Sequence, residues 1–154
     1  MKGIVIVLTL TALFVGVTVC VADSPQMGTW KLNEAKSRFS PGASKNTTVV
    51  YEASGDDIKV TVDGVDGSGA ATHNEWTGKF NGRFYPVTGD ATSDMRSYRK
   101  LNTRTLALTG KKGSKVTLTG RIVVSANGRT RTVTTTTTDP KGKRVSARAV
   151  YDKQ

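Results

Sequence analysis

The stretch KVTLTGRIVVSANGRTRTVTTTTT, residues 115–138, alternates apolar and polar side chains on both sides of an Asn-Gly pair. Val116, Leu118, Gly120, Ile122 and Val124 fall on one face, while Lys115, Thr117, Thr119, Arg121 and Ser125 fall on the other. A period of two is the mark of a half-buried strand, because successive side chains point to opposite sides of the backbone. Asn127-Gly128 supplies a hairpin signal, since both residue types tolerate positive φ. The threonine run 134–138 reads as strand, because a β-branched side chain suits a pleated surface. The pattern predicts an antiparallel hairpin.

The same alternation recurs along the chain between short turn signals. Trp30 and Leu32 share a face, as do Val49, Tyr51 and Ala53, then Ile58, Val60 and Val62 after the turn at 54–57. Trp76, Gly78 and Phe80 lie opposite His73, Glu75 and Lys79, and a second Asn-Gly follows at 81–82. A short strand spans Phe84 to Val87, with Pro86 favouring an edge or a bulge. Strands near 94–101 and 103–109 come next, and the last strand places Val145, Ala147, Ala149 and Tyr151 together. No segment sustains helical periodicity. The irregular stretch Glu34 to Lys45, broken by Ser40-Pro41-Gly42, is too short for a pair of helices. About ten strands without a crossover helix predict an all-β fold, an antiparallel up-and-down meander closed into a β-barrel of about 8–10 strands. A two-sheet sandwich is the main rival.

The opening MKGIVIVLTLTALFVGVTVCVADS has one Lys, an apolar run from Ile4 to Val19, and small residues before Asp23. This layout predicts a secretory signal peptide over residues 1–22, cleaved after Ala22, with a single domain over 23–154 placed in the periplasm or outside the cell. A retained membrane anchor is the rival, but the run falls short of the roughly 20 residues that span a bilayer. Lipidation at Cys20 would want a small residue just before it, where Val19 stands. Cys20 is the only cysteine, so the mature chain would carry no thiol, disulfide or Cys-based metal site and would rely on its core alone. A domain of this size buries roughly two-thirds of its unfolded surface.

The charge is one-sided. Residues 23–95 carry 7 basic and 10 acidic side chains, whereas residues 96–154 carry 15 basic and 2 acidic ones. A basic half suits polyanions, an anionic envelope surface or acidic small molecules, and equally a solvated surface that keeps the protein soluble. Specific nucleic-acid binding is not expected, because only Tyr98 and Tyr151 offer stacking platforms beyond residue 96.

Catalytic chemistry finds little to work with. His73 is the only histidine, it sits on the polar face of its strand, and no Gly-x-Ser-x-Gly accompanies it. Asp56, Asp57, Asp63 and Asp66 cluster at turns but miss the spacing of a calcium loop. No enzyme activity, cofactor or metal is expected. The stronger signal is arginine on candidate inner faces. Arg131 shares a face with Val133, Thr135 and Thr137, and Arg99 shares one with Met95, Ser97 and Leu101. An inward guanidinium stays charged and needs an anionic or hydrogen-bonding partner. The alternatives are that both arginines face solvent, or that Tyr98 points in and Arg99 out.

Gly28-Thr29-Trp30 at the first strand resembles the Gly-x-Trp of the lipocalin and fatty-acid-binding protein superfamily, and the whole is similar to small exported bacterial lipocalin-like proteins. The resemblance implies that Trp30 plugs the base of a barrel and that Gly28 lets the backbone bend around it. The chain end, Ala149-Val150-Tyr151-Asp152-Lys153, is similar to the last strand of the fatty-acid-binding branch. Two features depart from that branch. Glu34 to Lys45 cannot form its helical lid, and the arginine two residues before the final Tyr is here Ala149, with Arg148 one residue off. The expected activity is binding of a small hydrophobic or amphipathic ligand, anionic if the arginines take part, by a monomer. Trp30, Tyr51, Trp76, Tyr98 and Tyr151 are the cavity or core candidates, with Arg99 and Arg131 as anion-binding ones.

Overall fold

The computed structural model describes residues 24–139 and 141–154, so the expected leader over 1–22 lies outside the described residues. Eleven strands follow one another: β1 (Gly28–Leu32), β2 (Arg38–Phe39), β3 (Lys45–Ser54), β4 (Asp57–Val65), β5 (Ala71–Gly78), β6 (Tyr85–Thr88), β7 (Met95–Asn102), β8 (Thr105–Lys112), β9 (Lys115–Val124), β10 (Thr130–Thr138) and β11 (Arg144–Lys153). All pairings are antiparallel. Apart from β2, each strand lies beside the next, and β1 pairs with β11 to close a ten-strand barrel. The meander and its closure match the sequence expectation and exclude the sandwich.

The closing seam is built in two pieces. Trp30 to Leu32 pairs with Tyr151 to Lys153, and farther along β11 the two residues of β2 pair with Ala147 and Arg148. A single 3₁₀ turn, Glu34–Lys36, separates the pieces. Ladder bonds are not lost at the break. Asn33 donates its backbone N–H to the Val150 carbonyl at 2.8 Å. The buried Ser37 hydroxyl accepts from the Val150 N–H at 2.9 Å and donates to the Asn33 carbonyl at 2.7 Å. The side chain thus stands in for backbone groups that the turn diverts, as buried amides require.

Antiparallel topology sorts the connections into two ends. One end carries the hairpin turns β3–β4, β7–β8 and β9–β10, and the segment Ser24 to Met27 folds across it. The Trp30 indole donates to the Gln26 carbonyl at 2.8 Å, and Gln26 Nε2 donates to the Arg104 carbonyl at 3.1 Å, so this end is shut. Gly28 makes the bend into β1 with φ of 102°, a conformation that side chains with a Cβ rarely adopt. The opposite end carries the loops 41–44, 66–70 and 89–94, with residues 139 and 141–143.

Side-chain alternation follows the sequence reading closely, with two corrections. Val116 was expected inside with Leu118 and Ile122. The register slips between Gly110 and Lys111 on the neighbouring strand, and Val116 is 45% exposed beyond the bulge. The Asn-Gly turns stand where expected, but only their glycines take positive φ, Gly82 at 80° and Gly128 at 71°. Asn127 instead accepts the Arg129 N–H on its side-chain oxygen at 3.1 Å while Gly128 bonds back to the Ser125 carbonyl at 3.0 Å. Ser125 donates its N–H to the Thr130 carbonyl at 2.9 Å, so the loop has four residues, 126–129, with Gly128 supplying the positive φ.

The interior is led by aromatics. Trp76 packs against Tyr98, Tyr85 and Phe80 with ring centroids 4.7, 5.7 and 6.5 Å away, and Tyr51 meets Tyr98 edge-on at 6.3 Å. Gly78 is needed there, since a Cβ on it would fall 2.5 Å from the Tyr85 ring. Trp30 is fully buried at the shut end and joins β1, the seam and the N-terminal segment. Its removal, Trp30→Ala, is expected to cost about 3–5 kcal/mol, the usual range for truncating a buried Trp. Chemical denaturation checks this, and a loss under 1 kcal/mol would show that the plug does not hold the seam.

Candidate functional site

Behind the open end the barrel encloses a cavity of about 330 Å³. Its walls are apolar and threonine-rich: Val49, Val62, Leu108, Leu118, Ile122 and Val133, with Thr135 and Thr137 from β10. Its polar groups include Tyr51, Tyr98, Tyr151, Asn74 and two arginines, Arg96 and Arg131, with Asp66, Asp90 and Asp139 in the loops of the open end.

Arg131 is the unusual one. β10 points it inward beside Val133 and Thr135, and it is 2% exposed. Its guanidinium carbon lies 4.9 Å from the ring centre of Tyr151, 5.0 Å from that of Tyr51 and 5.1 Å from that of Trp30. Nε and one terminal nitrogen of this group have no hydrogen-bond partner. A guanidinium does not deprotonate in a protein, so the charge remains. Cation–π contacts of this kind give about 0.5–2 kcal/mol each, whereas burying the ion costs several kcal/mol. The aromatic cage therefore offsets part of the desolvation and leaves a positive field inside the barrel.

Arg96 is buried too, and its Nε is likewise unpartnered, but its charge is neutralised. It donates to Asn74 Oδ1 at 3.0 Å and to Asp90 Oδ2 at 2.8 Å. Burial alone would raise the Asp90 carboxyl. Bonds from the Thr92 backbone N–H and hydroxyl, at 2.8 Å each, and the Arg96 charge more than offset that and hold its pKa below the ordinary range. Among the described residues Arg131 has no such carboxylate. The phenols nearby stay neutral. Burial pushes Tyr151 up to about 12, against the pull of Arg131, and raises Tyr51 as well, with Tyr98 adding to the effect.

Six of the seven sequence candidates point inward. Tyr51, Tyr98, Tyr151 and Arg131 line the cavity, Trp30 lies under the guanidinium, and Trp76 packs behind Tyr98. Arg99 is a correction. It is exposed on the outer face, where its stem packs over Gly82, because β7 turns Arg96 and Tyr98 inward. The residues missed were Arg96, Asn74 and Asp90. Arg96 shares a face with Tyr98, so choosing the tyrosine as the inner residue would have found it. Asp90 sits in a loop and carries no such signal.

His73 lies outside on β5, with Nδ1 2.6 Å from Asp63 Oδ1 and Nε2 3.7 Å from Glu75 Oε1. Glu75 is itself bridged to Lys59 at 2.8 Å. Among the described residues no three His, Cys, Asp or Glu side chains converge as a metal site. The Asp66 carboxylate is taken up by its own turn, accepting from the Ser68 hydroxyl at 2.6 Å and from the Ser68 and Ala70 N–H groups.

No protein-family model matches the chain, and no curated protein matches it. The closed ten-strand meander with a tryptophan plug is consistent with a lipocalin-like fold.

The Asp63 hydrogen bond raises the His73 pKa above its ordinary value, with the Asp63 and Glu75 charges adding to it against slight desolvation. Proton NMR should therefore place its titration above pH 6.5, the unfolded value being about that. The small stabilisation this pairing gives is complete below about pH 6.5 and fades as pH rises through the folded pKa. Asp63→Asn should return the titration toward the ordinary value, and an unchanged midpoint would show that the pair does not form in solution.

Proposed function

We propose that this is an exported, non-enzymatic, lipocalin-like binding protein whose barrel takes a small, partly apolar anion. The observation that carries the reading is Arg131: a buried guanidinium with no carboxylate partner among the described residues, set in the wall of a largely apolar cavity. A carboxylate or phosphate ester at the closed end would pair with this charge and neutralise the field. Val133, Val49, Ile122 and Leu118 would then cover the apolar body along the way to the open end. A volume of about 330 Å³ falls at the lower edge of the range for small-molecule sites, which favours a compact ligand over a long chain.

The fold analogy supports the same reading, since barrels with Gly-x-Trp at the first strand are carriers. The carboxylate arginine of the fatty-acid-binding branch is absent at Ala149, and Arg131 would do that work from the neighbouring strand, where it is paired with Tyr151.

Replacing Arg131 by Met separates binding from stability. Without a ligand the variant should melt no lower than the parent, and higher if the unpaired charge is costly, because a flexible apolar side chain fills the place of a lone buried ion. The same variant should bind medium-chain carboxylic acids at least about tenfold more weakly, the scale of a charge-assisted hydrogen bond, while their methyl esters are unaffected. Titration calorimetry with the matched acids and esters reads both. Equal affinity of the parent for acid and ester, or an unchanged acid affinity in the variant, would overturn the anion site.

A further inference from the structure

The outer face of the barrel carries an ordered row of charge that is independent of the cavity. Cross-strand register places Arg99 on β7 opposite Ala107 on β8, and Ala107 opposite Arg121 on β9. Arg121 faces Thr134 on β10, Thr134 faces Arg148 on β11, and Arg148 faces Arg38 on β2. Four exposed arginines thus stand in one line across six neighbouring strands. Alternate strands supply Arg99, Arg121 and Arg148, so their Cα atoms are about 10 Å apart at the usual strand spacing.

No ion pair cancels this charge. Residues 95–138 contain no Asp or Glu, and among the described residues none of the four arginines has a carboxylate within ion-pair distance. Arg148 and Arg38 make only contacts to backbone carbonyls, with Lys36 at 3.4 Å and Ser37 at 3.1 Å. A second row runs parallel, one pleat repeat toward the open end. It reads Thr109, Thr119, Thr136 and Ser146, all bearing hydroxyls on the outer face.

We propose that this face binds an acidic polysaccharide laid along the arginine row. Three features select that partner over other polyanions. Arg99, Arg121 and Arg148 recur at a regular two-strand interval, and each planar fork is suited to a carboxylate or sulfate. The parallel hydroxyl row offers donors and acceptors at the height of sugar hydroxyls. The outward positions of β7 to β11 carry no aromatic ring, so a single-stranded nucleic acid would find no base-stacking platform. Curvature argues against a flat anionic bilayer, because the row bends around about half of a closed ten-strand ring and a plane would touch only part of it. A flexible chain can follow the whole row.

The test uses the full protein and end-labelled chondroitin sulfate oligosaccharides at low ionic strength, read by fluorescence anisotropy. The glycan should bind and be released by salt. The triple substitution Arg99→Gln, Arg121→Gln, Arg148→Gln should weaken it at least about tenfold and flatten its salt dependence. A charge-matched triple off the row, Lys115→Gln, Arg129→Gln, Lys143→Gln, should keep affinity within about twofold, since bulk charge alone would not distinguish the two sets. Arg131→Met should leave glycan binding unchanged, which separates this surface from the cavity. Melting curves confirm that each variant is folded. Equal losses in the two triples would reduce the row to net charge and overturn the proposal. So would tighter row-dependent binding of a thymidine oligonucleotide, or of phosphatidylglycerol vesicles, than of the glycan.

Discussion

The structure depends on one seam. A meander of strands has two free edges, and each would expose a line of unpaired amides and carbonyls. Here β11 pairs with β1 and removes both at once. The cavity, the shut base and the distinction between an inner and an outer face exist only because that pairing forms. Trp30 and Ser37 are the side chains that secure it, one by filling the base and the other by replacing ladder bonds where the 3₁₀ turn interrupts the strand.

Closure also divides the arginines into two populations with opposite energetics. Outside, guanidinium keeps its water and costs little. Inside, it must recover its hydration from the protein. Arg96 does so through Asn74 and Asp90, while Arg131 has only the faces of three aromatic rings. The two interior arginines therefore play different parts: one ties a loop to the wall, and the other leaves an unpaired charge in the wall of the cavity.

Much of the fold was legible because burial on one side of a strand writes a period of two into the sequence. β4, β9 and β11 state their inner faces plainly, and Gly28-Thr29-Trp30 marks the base. β7 does not. MRSYRKLN carries an arginine on either face, so hydrophobicity could not rank them, and only the bulk of Tyr98 beside Trp76 decides which face packs. Val116 was misplaced because a bulge is a property of two strands and leaves no trace in one. The Asn-Gly turns were located correctly but built differently, since loop length, set by the partner strands, selects the turn type. The site was half readable: aromatic residues and Arg131 follow from alternation, whereas Asp90 reaches Arg96 from a loop through tertiary structure alone.

The split seam has a temporal meaning as well. Every other major pairing joins strands adjacent in sequence, so hairpins from β3 to β11 can zip locally as the chain collapses. The pairing of Trp30 with Lys153 joins opposite ends of the domain and bears the largest loop-closure entropy. Non-local pairings of this kind slow folding, and the ring cannot close until the last strand is present. Until then β1 and its tryptophan have no finished base to fill. A chain delivered from its N-terminus can pair one edge of β1 with β3 early but leaves its other edge open until β11 arrives, so β11 acts as the latch of the whole barrel.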